Sequence, residues 1–412
     1  MQQDNGTLMP VWRSGRILPP EKSAPSGYID DFKQGIDPAR WRIADRKWGG
    51  LPDYQGCLPE NISYTEDGIL LLKGQGLYSK NRPLSGAAIV SAEPHGAGRY
   101  SVAMKVLPRM GVCNAMWTYF QSNGGMINHE IDIELPGHIT EDGSRSDPGY
   151  HRVLNTNWVS TRQFVSSGVI TDSPANDGNW HLYTFDWHIK PAPHIDFYVD
   201  GKLTTTITEK IPFKKGLFWI GVWFPRGWCG VAEFEQDYMM VDWVSYCPFD
   251  EETEDVECDA GKCAPLTAYP QSSVAMPETD LISNRDFSGN MNAYTLSVDH
   301  AERVAENGEY FVKLNEGGFI RQGITAIYGG MQFLFKWNAF CVKGKGTITL
   351  TYYNFKDQII HIETAVFDGN GSLKIIAPEH SRKLVICVSA EENAELRLKE
   401  LSLKLDKKEI NS

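Results

Sequence analysis

The chain has 412 residues, 42% of them hydrophobic. That is more than a single core usually holds and too apolar for general disorder. Lys and Arg number 40 against 52 Asp and Glu, a formal net charge of -12, which disfavours a phosphate-backbone partner but leaves a neutral polymer open. No apolar run reaches membrane-spanning length.

Residues 1–25, rich in Pro, Gly and Ser, read as an irregular leader. The start, Met1-Gln2-Gln3-Asp4-Asn5-Gly6, lacks the basic and apolar regions of a signal peptide. From 26 to 249 the pattern is one of short alternating or apolar segments, and strands are predicted at 69–72, 100–106, 181–187, 195–199, 219–224 and 239–244. Asp200-Gly201 is a hairpin turn signal. With no sustained helical period, an antiparallel β-sandwich is the economical fold. The composition shifts at Asp250, where Glu251, Glu252, Glu254, Asp255 and Glu257 begin a polar, Pro-containing stretch that reads as a linker over 250–278. A second, smaller β-sandwich is predicted over 279–412, with strands at 331–337, 347–353 and 360–367. Leu396, Leu398, Leu401, Leu403 and Leu405 look like core positions, yet neither a helical nor a strict strand period fits all five. The overall class is therefore all-β.

Eight cysteines (57, 113, 229, 247, 258, 263, 341 and 387) are too sparse for a disulfide scaffold, and none shows paired CxxC zinc spacing. Cys258 and Cys263 could close a small loop; for the others, bridge and buried thiol stay equally open. The sequon Asn61-Ile62-Ser63 has meaning only if the chain meets a glycosylation machinery.

Glu130-Ile131-Asp132-Ile133-Glu134 carries the strongest chemical signal. Strand alternation puts the three acids on one face and the isoleucines on the other, toward a core. Like charges so crowded repel one another. Glycoside hydrolysis uses such a pair, because its two carboxyls must hold different protonation states. Along the strand, Glu130 and Glu134 are about 13 Å apart at the backbone, so a retaining mechanism needs their side chains to converge to about 5–5.5 Å. The bland alternative is a solvated polar strand face.

Around this strand, residues 26–249 resemble glycoside hydrolase family 16, the jelly-roll group of lichenases, laminarinases, agarases and xyloglucan-active enzymes. Asp31-Phe32, Gly98-Arg99-Tyr100, Tyr198-Val199-Asp200-Gly201 and Val241-Asp242-Trp243 add to the match, in order. The resemblance implies a concanavalin A-like β-jelly-roll sandwich, with Glu130 as nucleophile, Glu134 as general acid/base and Asp132 as the assisting residue. It implies a polysaccharide or oligosaccharide substrate, no cofactor for catalysis, a monomer, and a secreted, periplasmic or cell-surface location. The absence of an extra residue before Glu134 is similar to the lichenase and xyloglucan-active branch; a bulge there would re-aim the side chain. Members often place a Trp two residues before the nucleophile, where this chain has Asn128, still on the catalytic face by alternation. His129 points the other way.

Several residues are candidate substrate contacts. Trp117 reads equally as core or sugar platform. Asn155, Asn157 and Trp158 form a polar-aromatic cluster in a region similar to the family's cleft-lining strand, with Trp158 a candidate for stacking and Asn155 for hydroxyl recognition. Trp180 and His181 open a patterned strand that could line a rim. Trp223 and Trp228 fit a loop beside the cleft, and Arg226 could meet an anionic substituent or a surface acid. Residues 279–408 resemble jelly-roll carbohydrate-binding modules more loosely, with Leu281 to Phe287 similar to their opening strand. Tyr294, Tyr310, Tyr328 and Trp337 could offer a binding surface, and structural calcium in some of those modules makes Asp286 the candidate ligand here. A sandwich that only props its neighbour is the other reading. Hydrolysis of a β-glucan leads; a β-galactan hydrolase, a transglycosylase, a noncatalytic carbohydrate-binding protein and a structural protein are the alternatives.

Overall fold

The computed structural model describes residues 27–412 apart from 51, 78–83, 108, 122–126, 138–150, 174, 177, 257–267, 279, 290, 292, 326, 328, 355 and 407–412, together with residue 19 and four short strands before Tyr28. Those four are β1 (Gln2–Asp4), β2 (Thr7–Met9), β3 (Trp12–Arg13) and β4 (Arg16–Ile17), paired β1–β2 and β3–β4. The leader is thus more ordered than its composition predicts. Glycine stands in the sequence between the members of each pair, as Asn5-Gly6 and Ser14-Gly15.

The first sandwich contains β5 (Tyr28–Asp30), β6 (Trp41–Ile43), β7 (Ile62–Tyr64), β8 (Leu70–Gln75), β9 (Ala87–His95), β10 (Gly98–Lys105), β11 (Cys113–Gln121) and β12 (Asn128–Pro136). It continues with β13 (Arg152–Ser160), β14 (Gln163–Ile170), β15 (Trp180–His188), β16 (His194–Val199), β17 (Lys202–Ile207), β18 (Gly216–Trp223) and β19 (Gln236–Pro248). One sheet runs β14-β13-β12-β11-β18-β9-β6; the facing sheet runs β17-β16-β15-β10-β19-β8-β7, with β5 also on β19. The core between them takes Ile131, Ile133 and Leu135 from β12, Met116 from β11, and Tyr100, Phe185 and Val244 from the facing sheet. Burial of the two isoleucines, each worth about 1.5–3 kcal/mol, pins the register that turns the acids outward.

The pieces that carry the family resemblance have structural jobs. Arg99 makes a bidentate pair with Asp186 at 2.7 and 2.6 Å, and Tyr100 stacks on Phe185 at 4.6 Å. Asp200 and Gly201 turn the β16–β17 hairpin with φ of 51° and 77°. The Asp200 carboxylate also accepts from Leu182 N at 2.9 Å and holds the His181 ring at 2.7 Å. His181 is therefore a fixed strand residue, not a rim residue. Asn61 of the sequon is buried, donating to Ser85 Oγ and Gly86 O, both at 2.9 Å; its amide is not free to carry a glycan in the folded chain.

The acidic run after Phe249 is tied to the first sandwich. Glu251 accepts from His188 and from Lys190 N, and Thr253 Oγ1 accepts from Ala97 N at 2.8 Å. Farther on, Tyr269 donates to Trp41 O at 2.6 Å. Buried Arg109 links the sandwiches, bonding Asp237 at 3.1 Å, Ser283 Oγ at 2.9 Å and Asp280 O at 3.3 Å.

The second sandwich contains β20 (Thr295–Leu296), β21 (Ala301–Glu306), β22 (Glu309–Asn315), β23 (Phe319–Thr325) and β24 (Gln332–Lys343). It ends with β25 (Gly346–Tyr353), β26 (Ile359–Phe367), β27 (Gly371–Ile376), β28 (Lys383–Ala390) and β29 (Glu395–Leu405). Its sheets are β20-β23-β28-β25-β26 and β21-β22-β29-β24-β27. The awkward leucine spacing is a β-bulge: Ala339 pairs Leu398 while Asn338 pairs Glu400, leaving Lys399 extra. Leu396 and Leu398 before it, and Leu401 and Leu403 after it, can then all point inward.

Two expectations change here. The segment 281–287 is a series of turns, not a strand, since Asn284 and Phe287 sit at φ of 49° and 56°. Tyr294 and Trp337 belong to the core, with the Trp337 indole donating to Gly369 O at 2.9 Å, so neither forms an open surface. Tyr310 is half-buried beneath Arg303, whose guanidinium is 4.3 Å from the ring centre. The Asp286 carboxylate accepts from Ser288 N and Oγ at 3.1 and 2.7 Å. Cys258, Cys263 and Tyr328 lie outside the described residues, and the other six cysteines are free thiols.

Asn114 fastens the loop before β11 to the end of β12. Its carboxamide accepts from Leu107 N at 2.8 Å and donates to Leu107 O at 2.7 Å and Leu135 O at 3.1 Å, fully buried. Asn114→Ala strands three backbone groups and should cost roughly 3 kcal/mol or more of unfolding free energy. Denaturant unfolding checks this, and a loss below about 1 kcal/mol would contradict it.

Candidate active site

The outer face of the seven-stranded sheet is built from cross-strand rows. Glu130 lies between Tyr119 on β11 and Trp158 on β13, Asp132 between Trp117 and Thr156, and Glu134 between Ala115 and Leu154. The rows extend through Phe164 and Ser166 on β14 and through Trp219 and Gly221 on β18. All of these residues except Leu154 and Gly221 line a cleft of ≈ 440 Å³ that also takes in Arg46, Trp48, Trp223 and Trp228.

Tryptophans form one bank. Trp117 stacks on Trp219 at 5.4 Å between ring centres, and Trp48 contacts Trp117, Trp219 and Trp223 at 6.2, 6.0 and 6.2 Å. Beside this bank β18 packs closely on β9: a Cβ on Gly221 would meet the Ala88 Cβ at 2.5 Å. Trp228, 46% exposed, extends the bank beside Trp223 at 6.4 Å. On the other side Trp158 stacks on Phe164 at 4.3 Å. The acids lie between two banks of flat apolar rings, a surface suited to the C–H faces of sugars.

Hydrogen bonds distinguish the three acids. Asn128 Nδ2 donates to Glu130 Oε2 at 2.9 Å, and Asp132 also hydrogen-bonds Glu130. The Trp158 indole donates to Asp132 Oδ2 at 3.1 Å. Glu134 faces the Cys113 thiol, 3.7 Å from its Oε1. Burial pushes the Glu130 carboxyl well above the usual carboxylate range, with the charge of Glu134 adding, while Asn128 and Asp132 pull it back. Burial does the same to Asp132, followed by the charges of Glu130 and Glu134. Glu134 is raised by burial, against the thiol. In this low-dielectric floor the three cannot all be ionised together. Asn128 and Asp132 both hydrogen-bond Glu130, whereas Glu134 meets one weak donor, the Cys113 thiol.

The candidate substrate contacts divide. Trp117, Trp158, Trp223 and Trp228 line the cleft, and Asn128 is buried beside it as a partner of Glu130. Asn155 does not line it: it pairs with Ile133 and is wholly buried on the core side with Val153, because alternation turns Thr156 and Trp158 to the cleft. Asn157 is buried there too. Trp180 pairs with Lys105 in the facing sheet, so a sandwich thickness separates it from the acids. Arg226 is exposed in the β18–β19 loop and does not line the cleft. His129 packs against Phe213 at 4.5 Å, away from the cleft. Sequence reading passed over Trp48, Tyr119, Phe164, Trp219 and Arg46. Trp219 was legible as a same-face partner of Trp117 only with the strand pairing known, and Trp48 arrives from a loop with no periodic signal.

An all-β sandwich with paired carboxyls between aromatic banks has the makings of a polysaccharide-processing enzyme. The profile of Glycosyl hydrolases family 16 matches residues 59–244. A β-glucanase of Paenibacillus macerans is 32% identical over 191 residues, covering 45% of this chain and 73% of the relative. A β-glucanase of Paenibacillus polymyxa is 28% identical over 215 residues, covering 50% and 82%. A solved lichenase from a mouse hindgut metagenome is 25% identical with a TM-score of 0.44, covering 54% of this chain and 99% of that one. The chain belongs to glycosyl hydrolase family 16, and hydrolase activity follows in general. Among the described residues, no helix is long and apolar enough to cross a membrane.

Asp132 gives a stability prediction. Its folded pKa is raised, so the folded state holds a proton that the unfolded chain releases, and stability falls as pH rises from about 4 through the folded pKa. Asparagine copies the protonated acid, donating to Glu130 and accepting from Trp158. Asp132→Asn should therefore raise Tm at pH 7 by roughly 3 °C or more and flatten the decline of Tm above pH 4, while lowering activity. A Tm below wild type at pH 7 would contradict this.

Proposed function

We propose that this protein is an endo-acting, retaining β-glycan hydrolase whose substrate is a β-glucan. Glu130 is the nucleophile, Glu134 the general acid/base and Asp132 the assisting acid. The observation that carries the reading is the unequal hydrogen bonding of three acids fixed on one strand face: two donors on Glu130, a thiol at Glu134. The β-glucanase names of the sequence relatives support the choice of glucan.

In the first step the Glu130 carboxylate attacks the anomeric carbon while Glu134 gives its proton to the departing glycosidic oxygen. Charge leaves Glu130 as the glycosyl ester forms, and Glu134 becomes anionic. In the second step Glu134 takes a proton from water, which attacks the anomeric carbon and returns Glu130 to the carboxylate, with net retention. Asp132 keeps its proton in this sequence and donates to Glu130, which steadies the carboxylate before attack and after release. Tryptophans on both sides hold the chain by its ring faces and exclude water from the reacting carbon.

The test is a panel of mixed-linkage glucan, laminarin, xyloglucan, agar and galactan, with Glu130→Ala and Glu134→Ala run beside the wild type. Each folded variant should lose at least about a thousandfold in kcat/KM, a barrier rise of about 4 kcal/mol. Azide separates the roles on an activated β-glycoside: Glu130→Ala should yield the α-glycosyl azide, Glu134→Ala the β-anomer. Undiminished hydrolysis by either variant would contradict the assignment, as would inverted stereochemistry in the wild-type product.

A further inference from the structure

We propose that Cys113 is a positioning residue for Glu134: its thiol holds the carboxyl in place and moderates its affinity for the proton it must donate. The inference rests on the reading of Glu134 as general acid/base and goes beyond it.

The geometry is that of a diagonal cross-strand pair. Ala115 is the direct partner of Glu134 across the β11–β12 ladder, and Cys113 lies two residues from Ala115 on the same sheet face. The Cys113 side chain is wholly buried, with Sγ 3.7 Å from Glu134 Oε1. The thiol has two further partners in reach, the Asn114 carbonyl, also at 3.7 Å, and the Cys229 sulfur. A carboxylate is the stronger acceptor, so ionisation of Glu134 draws the S–H toward it. Among the described residues, no other side chain hydrogen-bonds the Glu134 carboxyl.

Cys229 closes the arrangement from the β18–β19 loop. It is buried in one cluster with Cys113 and Ala115, against Trp117 and Trp223. Its carbonyl accepts from Gly111 N at 2.6 Å, which holds the loop in place. Among the described residues, the other ionisable groups on this face of β11, β12 and β13 are Glu130, Asp132, Cys113, Tyr119 and Arg152, with Cys229 over them from the loop. Arg46 stands farther off, over Trp48 and Trp219. Burial keeps the Cys113 thiol protonated, so it has an S–H to donate when Glu134 ionises.

A thiol suits the task. An Asn amide or a cation beside Glu134 would favour its anion strongly and leave less of the free enzyme with a proton to donate. An apolar side chain would leave the carboxyl free to rotate, and the newly formed anion in the first step would have no donor. The weak S–H bond steadies the carboxylate in the glycosyl-enzyme while leaving the free enzyme's Glu134 largely protonated.

The test is the pH dependence of kcat/KM for Cys113→Ala and Cys113→Ser on the substrate that the glycan panel identifies. The alkaline limb reports deprotonation of the acid. With the donor removed, Cys113→Ala should move that limb up by about half a pH unit and lower kcat severalfold. The stronger hydroxyl donor of Cys113→Ser should move it down. A role confined to packing would lower Tm in both variants without moving either limb. Limbs that coincide with wild type, or that shift in the same direction in both, would overturn the proposal. Should Cys113→Ala fail to fold, the downward shift in Cys113→Ser decides alone. Full activity in Glu134→Ala would sink the underlying assignment. An inactive Glu134→Ala with unmoved Cys113 limbs would sink this inference only.

Discussion

Ile131 and Ile133 are held in the sandwich core while their neighbours in the chain are three acids, and this alternation on β12 governs the site. Side chains on a strand change face at every residue, so the core fixes the direction of Glu130, Asp132 and Glu134 as firmly as it fixes the isoleucines. A one-residue slip would bury three carboxyls and expose the isoleucines. Pairing with β11 on one side and β13 on the other then gives each acid distinct neighbours: Tyr119 and Trp158 for Glu130, Trp117 and Thr156 for Asp132, Ala115 and Leu154 for Glu134. Differences among three otherwise similar carboxyls arise from these rows.

The electrostatics follow from the same placement. Tryptophans that could hold a sugar also remove water from around the acids, and low dielectric raises their proton affinity. Charge is then a shared and limited quantity along the strand. Burial raises the proton affinity of Asp132, Asn128 and Asp132 both hydrogen-bond Glu130, and the Glu134 carboxyl is left with a thiol. Such a site opposes stability above acid pH, where the unfolded chain would release these protons. A cleft that raises the proton affinity of its acids is therefore one the rest of the sandwich must hold together, through features such as the buried Asn114 clamp and the half-buried Arg99–Asp186 pair.

Much of this was legible in the chain. Alternating and apolar runs located the acid strand and several strands of each sandwich, because burial of one or both faces leaves a readable pattern. The bulge at Lys399 shows why the leucines of β29 escaped a strict period: one inserted residue shifts the phase without changing the core. Site members that depend on pairing were harder to see. Asn155 looked like a hydroxyl reader because it lies beside Trp158 in a polar cluster, yet one step along a strand reverses the face. Trp180 is plausible in sequence and remote in space, since its strand belongs to the other sheet. Trp48 comes from a loop, and only its ring contacts with Trp117, Trp219 and Trp223 disclose its place in the cleft. Asn128, an apparent departure from the family pattern, acts on Glu130 instead of serving as a stacking surface.

Direct observation of the protons offers the sharpest test. Carboxyl carbon NMR titration, with Glu130, Asp132 and Glu134 assigned by single amide substitutions, reports each ionisation in the folded enzyme. Asp132 should remain protonated through neutrality, and the first ionisation of the trio should appear chiefly at Glu130. Three independent titrations completed below about pH 5, the range of ordinary carboxyls in water, would contradict the account.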